Sequence, residues 1–267
     1  MILGIVLLAG IVISGADEQA DLEKWILKTQ SENKSKLVRG RFRATAEETT
    51  GIMERKGAIT LTWDGHNAHW DYMLNEKIGG QRRIKAIERD REMWFFDQTN
   101  GFFEHVTENK KTLPLVRRLR PEQCWFGHFG STRQWSELFD RSTFPEETFS
   151  TTIATQDLKI VVRRVHLPSN VSADLIWSPA SGGNLISYSS QQPNQHETHE
   201  MDWQQHPKGL WYVKELRNER KRPNGELLFR FKLSVHEFDP EPIIPDGQFD
   251  PNKLQKRENI NPPCPVE

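Results

Sequence analysis

The chain has 267 residues, of which 36% are hydrophobic, and it contains 9 Trp and 14 Phe. This is enough apolar surface for a substantial core, most simply in one large all-β or α+β domain. The formal net charge of -1 at pH 7 excludes a general electrostatic attraction to nucleic acid or to an anionic membrane. Composition therefore indicates a globular protein and leaves its partner open.

The first sixteen residues have the pattern of a cleavable export signal. Residues 2–13 are almost purely apolar, and Ser14-Gly15-Ala16 supplies the small residues that a signal peptidase accepts. About a dozen apolar residues are too few to span a bilayer, which takes about 20. Ile11 follows Leu8-Ala9-Gly10 at the position where a lipoprotein would carry its lipidated cysteine. We therefore expect residues 1–16 to be removed and the mature chain to be periplasmic or secreted, without a lipid.

The segment after the leader predicts one amphipathic helix over residues 17–36. Apolar positions recur there at helical spacing, with Asp, Glu and Lys between them. These positions are Leu22, Trp25, Ile26 and Thr29. Such a helix needs a sheet to cover.

Six short segments then alternate polar and apolar residues, as a strand with one wet face does. Turn sequences such as Asp64-Gly65 and Thr99-Asn100-Gly101 separate them. Six strands with tight turns predict an antiparallel meander. We expect these strands at residues 37–44, 57–63, 68–72, 82–88, 93–97 and 102–106.

Residues 113–149 break this rhythm with three prolines, and we interpret them as an insert with one short helix at 132–139. The strands that follow predict a second run, which closes with a hairpin at Asn224-Gly225. From residue 239 onward proline is frequent, which favours an extended tail over 239–267. We thus expect a single domain over residues 17–238. The later strands are predicted at 158–167, 174–177, 185–190, 197–203, 210–217 and 226–238.

The order of these elements predicts an α+β protein that is mainly antiparallel β. About a dozen strands and one long N-terminal helix occur without β-α-β alternation. The strands would form a curved sheet folded around its own apolar concave face, with the N-terminal helix covering that face.

Motifs of the common enzyme classes are absent from the sequence. It has no Gly-x-Ser-x-Gly elbow, no phosphate-binding loop, no dinucleotide fingerprint and no Cys-x-x-Cys pair. This weighs against an enzyme, although acid and base residues on distant strands would leave no local motif. Cys124 and Cys264 can form a disulfide in an oxidising compartment or remain two free thiols.

The closest approach to a metal motif is His196-Glu197-Thr198-His199-Glu200, with His206 a few residues later. A zincin needs its two histidines at i and i+4 on a helix, whereas these stand at i and i+3 among strands. We expect solvated polar residues here, and no metal or cofactor. Basic pairs such as Arg117-Arg118, Arg163-Arg164 and Lys221-Arg222 are scattered and balanced by acids, so no nucleic-acid partner is expected.

Aromatic residues on neighbouring strands of the first meander suggest either a core or the wall of an apolar pocket, and the two are compatible. Alternation allows several of them to share one face. They are Phe42, Trp63, Trp70, Trp94, Phe96 and Phe103.

The order of features from residue 22 to residue 106 resembles the periplasmic lipoprotein carriers of the LolA and LolB type. A leader, an amphipathic helix, the strand Arg39-Gly40-Arg41-Phe42-Arg43, a hairpin ending in Trp63, His69-Trp70-Asp71-Tyr72 and Glu92-Met93-Trp94-Phe95-Phe96-Asp97 follow one another. The resemblance implies an incomplete antiparallel β-barrel closed by helices, with a hydrophobic cavity that shelters acyl chains.

The same resemblance implies a non-enzymatic binding protein whose partners are a lipid, an acylated protein or an apolar peptide, together with a membrane-associated protein. We also expect a monomer. It implies that the cavity is lined or supported by Phe42, Trp63, Trp70, Trp94 and Phe96. Two other hypotheses stay open: a structural or signalling module that binds a protein through the same sheet, with the proline-rich tail as a docking strand, and an unusual hydrolase.

Overall fold

The computed structural model describes residues 16–77, 80–90, 92–106, 119–127, 134–140 and 142–254. Within these residues all named strands belong to one antiparallel sheet of 13 strands. The strands are β1 (Arg39–Thr50), β2 (Met53–Asp64), β3 (Asn67–Glu76), β4 (Gly80–Arg89), β5 (Glu92–Asp97), β6 (Phe102–Val106), β7 (Phe149–Gln156), β8 (Lys159–His166), β9 (Val171–Ser178), β10 (Asn184–Gln192), β11 (Gln195–Gln205), β12 (Trp211–Lys221) and β13 (Leu227–Asp239).

The described residues contain fewer helices than strands. The N-terminal helix α1 spans Ala16–Ser35, and the insert contains the one-turn helix α2, Pro121–Cys124. Short 3-10 helices occur at Trp135–Phe139, Pro179–Ser181 and Pro251–Lys253. In the described ranges, no helix combines the length and the apolar character that crossing a membrane requires.

The strand order shows how the sheet stays open. It runs β6-β5-β4-β3-β2-β1-β13-β12-β11-β10-β9-β8-β7, so each half is a simple meander and β1 pairs with β13 at the centre. The two edges, β6 and β7, flank the insert in the chain and do not pair with each other. The structure therefore confirms the predicted curved, incomplete barrel with an N-terminal helix.

Register decides which residues share the concave face. Directly opposite residues of an antiparallel pair point to the same side of the sheet. Phe42 pairs with Leu61, Leu61 with Trp70, and Trp70 with Ala86, and all four are fully buried. This row therefore crosses four strands on the side that holds the core.

The insert fills the concave face in the first half of the sheet. The ring centroid of Trp125 lies 5.9 Å from that of Phe42, 6.4 Å from that of Trp63 and 5.9 Å from that of Phe238. The adjoining Arg120 is held by Glu88 at 3.0 Å and donates to the backbone carbonyl of Gly65 at 2.8 Å. Side chains therefore fill this half of the concave face, which we call its closed half.

Helix α1 covers part of the other half. The Nδ2 atom of Asn33 donates to the carbonyl of Gly182 at 2.8 Å and to Oδ1 of Asn184 at 3.0 Å, which anchors the C-terminal turn of α1 at the start of β10. Gly183 has φ +70°, and a Cβ there would come within 2.8 Å of the Trp25 ring. Glycine thus permits both the left-handed turn and the close approach of the helix.

Several elements differ from the sequence-based expectation. Helix α1 matches the prediction within one residue at each end, but β7 was not predicted. Only Ile153 of its eight residues is buried, so β7 carries almost no apolar alternation. The predicted helix at 132–139 is a 3-10 helix over Trp135–Phe139, and its first residues lie outside the described ranges.

The proline-rich segment after β13 is extended and returns to the sheet on its convex side. The amide Nε2 of Gln248 lies 2.8 Å from Nδ1 of His69 on β3, and Leu254 is 2% exposed. The leader at 1–15, the tail beyond residue 254 and Cys264 lie outside the described residues. Cys124 is buried, and its thiol donates to the carbonyl of Leu119 at 3.2 Å.

Candidate functional site

The structure separates the five aromatic residues predicted for the cavity into two groups. Phe42, Trp63 and Trp70 are fully buried on the concave face. Trp94 and Phe96 are half-buried and lie on the convex face, because their neighbour Phe95 pairs with Ala86 of the concave row. The Trp94 ring instead stacks on His105, with centroids 4.9 Å apart and an interplanar angle of 6°.

The three concave residues are packed against protein. Trp63 lies against Phe42 and Trp125, and its indole Nε1 donates to the carbonyl of Leu37 at 2.8 Å. These rings therefore support the closed half of the concave face. The cavities described next lie in the other half and are lined by other residues.

The main candidate site is a cavity of about 380 Å³ between the 3-10 helix Trp135–Phe139 and strands β8, β9 and β10. We call it the Tyr188 cavity. Its apolar walls come from both sides, and its volume lies within the range of about 300–1,000 Å³ that is typical of ligand pockets. The walls include Trp135, Leu138, Phe144, Phe149, Leu175 and Tyr188.

Local contacts position the wall that the insert provides. The backbone N–H of Trp135 donates to the carbonyl of Phe126 at 2.9 Å, and Gln134 Nε2 donates to the carbonyl of Glu122 at 2.8 Å. The Trp135 ring packs against Tyr188, with centroids 5.2 Å apart. The part of the insert that fills the first half of the concave face thereby holds the 3-10 helix that forms one wall of the cavity.

Arg164 is the one buried cation that lines this cavity among the described residues. Arg164 is only 7% exposed, although arginine side chains are charged and are usually found at the surface. The guanidinium lies over the Phe144 ring at 4.2 Å, and Nε donates to Thr151 Oγ1 at 3.4 Å. Its Nη1 atom is buried without a hydrogen-bond partner. Burial lowers the pKa of Arg164 to about 10, partly opposed by the negative charge of Glu23.

A second opening of about 590 Å³ adjoins the first, and we call it the Glu23 cavity. It lies between α1, the insert and β7. Arg164, Phe144 and two other residues line both cavities, so the guanidinium stands at their boundary. The two cavities differ in charge, because Glu23 and Glu146 line the second, whereas no described Asp or Glu lines the Tyr188 cavity.

A buried polar cluster lies directly beside Tyr188. His199 Nε2 is 3.1 Å from Glu197 Oε1, and the Asn218 amide contacts both residues. Burial lowers the pKa of His199, and the Glu197 carboxylate opposes this shift. At neutral pH the ring is therefore uncharged, and it packs against Tyr188 with centroids 5.4 Å apart. The cluster supports the cavity wall.

This cluster corrects the expectation for the zincin-like segment. His196 is exposed, but Glu197 is 6% and His199 is 1% exposed, so the expectation of solvated polar residues is wrong for these two. They occupy the concave face because β11 alternates there with Met201 and Trp203. Across the described ranges, no three His, Cys, Asp or Glu residues come together as metal ligands would.

Sequence reasoning did not single out Arg164, which was grouped with the scattered basic pairs. A signal was nevertheless present. Ile160, Val162 and Arg164 stand at i, i+2 and i+4 of β8, so alternation assigns all three to one face. An arginine that continues an apolar stripe indicates a buried cation and hence a candidate site.

Two solved structures resemble this chain over most of its length. A DUF1329 family protein from Desulfovibrio piger matches with a TM-score of 0.51 at 9% identity, covering 87% of this chain and 98% of that one. It shares the fold. A domain from Vibrio parahaemolyticus, described as an outer membrane lipoprotein-sorting protein, matches with a TM-score of 0.49 at 8% identity, covering 88% and 100%. No protein-family model and no curated protein matches the sequence.

The architecture is thus the curved, incomplete antiparallel barrel that the sequence order predicts. An open antiparallel sheet curves around one N-terminal helix, and its concave face carries the core and both cavities. At such low identity the likeness concerns the fold, and the chemistry of the site has to be argued from its own residues.

Proposed function

We propose that this protein is an exported, non-enzymatic binding protein that sequesters an apolar ligand in the Tyr188 cavity. The observation that carries the proposal is the cavity itself, which lies on the concave face and has aromatic and aliphatic walls. Cavities of this size with few polar groups suit ligands that are largely apolar. An acyl chain, a lipid or the lipid of an acylated protein would meet this requirement.

Binding would be driven by the removal of apolar surface from water, at about 25 cal/mol per Å². The 3-10 helix Trp135–Phe139 forms one wall, so a long chain would enter as this segment moves relative to the strands. In this proposal Phe42, Trp63 and Trp70 support the sheet, and Trp94 and Phe96 take no part in the cavity. Export is supported by the pattern of residues 1–16.

The direct test is native mass spectrometry followed by organic extraction, on mature protein purified gently from the exported fraction. We expect a reproducible bound lipid or acylated molecule. Clean apo protein that also fails to take up acyl probes would contradict the proposal. It would favour the protein-binding module instead.

A substitution that fills the cavity sharpens the test. Ala173 lines the cavity on β9, and Ala173→Phe should weaken binding of an acyl probe by at least about tenfold, since losing about 60 Å² of apolar contact costs about 1.5 kcal/mol. The matched control is Ala58→Phe, because Ala58 is exposed on β2. Equal binding by both variants, with both folded, would place the ligand elsewhere.

A further inference from the structure

We propose that the Tyr188 cavity recognises a negatively charged amphiphile, with Arg164 binding its carboxylate or phosphate head and the apolar walls enclosing its chain. This inference rests on the proposed function and names the chemical class of the ligand. It depends on the state of Arg164, the charge of the cavity and the small residues that face the guanidinium.

The guanidinium is only partly satisfied by the folded chain. Phe144 covers one of its faces, the hydrogen bond from Nε to Thr151 is long at 3.4 Å, and Nη1 has no partner. None of the described carboxylates lies within ion-pairing distance of it, and Glu23 acts on it only from farther away. A buried donor without an acceptor is costly, so a ligand that supplies an anionic oxygen would remove an existing penalty.

The distribution of charge places the head in the Tyr188 cavity. The ionisable groups that can carry positive charge there are Arg164 and His166, and no described acid lines it. The acids Glu23 and Glu146 line the Glu23 cavity on the other side of Arg164. An anion would therefore be attracted into the first cavity and repelled from the second.

Small residues leave room for the head in front of Arg164. Arg164 pairs with Ala173 on β9, and Ala173 pairs with Ser190 on β10, so the three share one row of the concave face. Both neighbours line the cavity, and Ser190 is 3% exposed. The planar fork of arginine matches a carboxylate or phosphate with two parallel hydrogen bonds.

The remaining walls suit an alkyl chain and offer no favourable contact to a purely inorganic anion. Trp135, Leu138 and Leu175 surround the space beyond the polar row. An inorganic anion would leave these apolar surfaces without a partner. A head joined to an alkyl chain would satisfy both parts of the cavity at once.

The test compares ligands that share one chain and differ in the head. Isothermal titration of the delipidated full chain would use dodecanoate, dodecyl phosphate and dodecanol, with acetate and inorganic phosphate as chainless probes. We expect dodecanoate or dodecyl phosphate to bind at least about tenfold more tightly than dodecanol, and the chainless anions to bind no more than weakly. A difference in affinity between dodecanoate and dodecyl phosphate would show whether the site prefers a carboxylate or a phosphate head.

Variants of β8 then assign the effect to Arg164. Arg164→Gln should weaken binding of the preferred anion by about 10- to 100-fold and should change the affinity for dodecanol less than threefold. The affinity of Arg164→Lys for the anion should lie between those of Arg164→Gln and the unmodified protein. Arg163→Gln is the control, since Arg163 is the neighbouring arginine, is 61% exposed and pairs with Asp174 on the convex face. It should change neither ligand. Thermal unfolding of each variant would confirm that it is folded.

The outcomes separate the inference from the proposed function. Equal binding of dodecanol and the long anions, or no effect of Arg164→Gln, would overturn the inference while the binding function stands. Tight, Arg164-dependent binding of inorganic phosphate would also overturn it, because no amphiphile is then needed. Failure of all three long-chain ligands to bind would overturn the proposed function, and the inference with it.

Discussion

Replacing Arg164 by methionine should make the ligand-free protein more stable. Burial lowers the pKa of Arg164 to about 10, and this shift from its ordinary value corresponds to about 3 kcal/mol by which the folded state disfavours the charged side chain. Because the folded pKa is below the unfolded value, this penalty is present at every pH below about 10 and disappears as the pH rises to the unfolded pKa. Methionine would remove the penalty and keep much of the apolar volume.

The gain is smaller than the full penalty, because the contact with the Phe144 ring is worth about 0.5–2 kcal/mol and would be lost. We expect Arg164→Met to raise the free energy of unfolding by about 1–2 kcal/mol. For a chain of this length the melting temperature would then rise by about 2–8 °C. The assay is urea denaturation together with calorimetry, on delipidated protein at pH 7.

A control variant and a measurement with bound ligand test whether the change in stability comes from Arg164. Arg163→Met, which replaces an exposed arginine on the same strand, should change stability by less than about 0.5 kcal/mol. Saturating dodecanoate should cancel or reverse the order, because a 10- to 100-fold higher affinity stabilises the protein that retains Arg164 by about 1.4–2.7 kcal/mol more than the variant. A loss of more than about 1 kcal/mol in the ligand-free Arg164→Met protein would contradict this expectation, since it would mean that the guanidinium is satisfied without a ligand.

Two further predictions concern the packing of the sheet. Trp125→Ala should lower the free energy of unfolding by about 3–5 kcal/mol in urea denaturation, because the ring is 1% exposed and fills the closed half of the concave face; a loss no larger than that of half-buried Trp94→Ala would contradict this. Burial lowers the pKa of His69 from 6.5 to about 4. The free energy of unfolding therefore has its full value above about pH 6.5 and falls by up to about 3 kcal/mol as the pH drops towards 4. His69→Gln, which keeps an acceptor for Gln248, should flatten this pH dependence; an unchanged slope would assign it to other groups.

The strands that face the core could be predicted closely, because one buried face imposes a period of two on the sequence. Strand ends without apolar residues could not. β1 and β2 continue for several residues beyond the predicted strands, over a segment where Lys56 pairs with Glu47 at 2.6 Å and Arg55 with Glu76 at 3.2 Å. These cross-strand ion pairs depend on register, which the local pattern does not contain.

The site was harder to predict for the same reason. Alternation shows that Trp94 and Phe96 share a face, but only the pairing of Phe95 with Ala86 shows that this is the convex face. The Tyr188 cavity joins the 3-10 helix of the insert to strands that follow it in the chain. Its position depends on contacts such as the one between Trp135 and Phe126, and no periodic pattern encodes them.

The two halves of the concave face use their aromatic residues in opposite ways. In one half Trp125 is inserted among other rings, and the buried cation Arg120 is paired with Glu88. In the other half the aromatic rings line the Tyr188 cavity, and the buried cation Arg164 lacks an acceptor for Nη1. Folding stability would be served by an apolar residue at position 164, as the rest of the β8 stripe shows. A cavity with an unsatisfied cation is therefore better explained by an anionic ligand than by the needs of the fold.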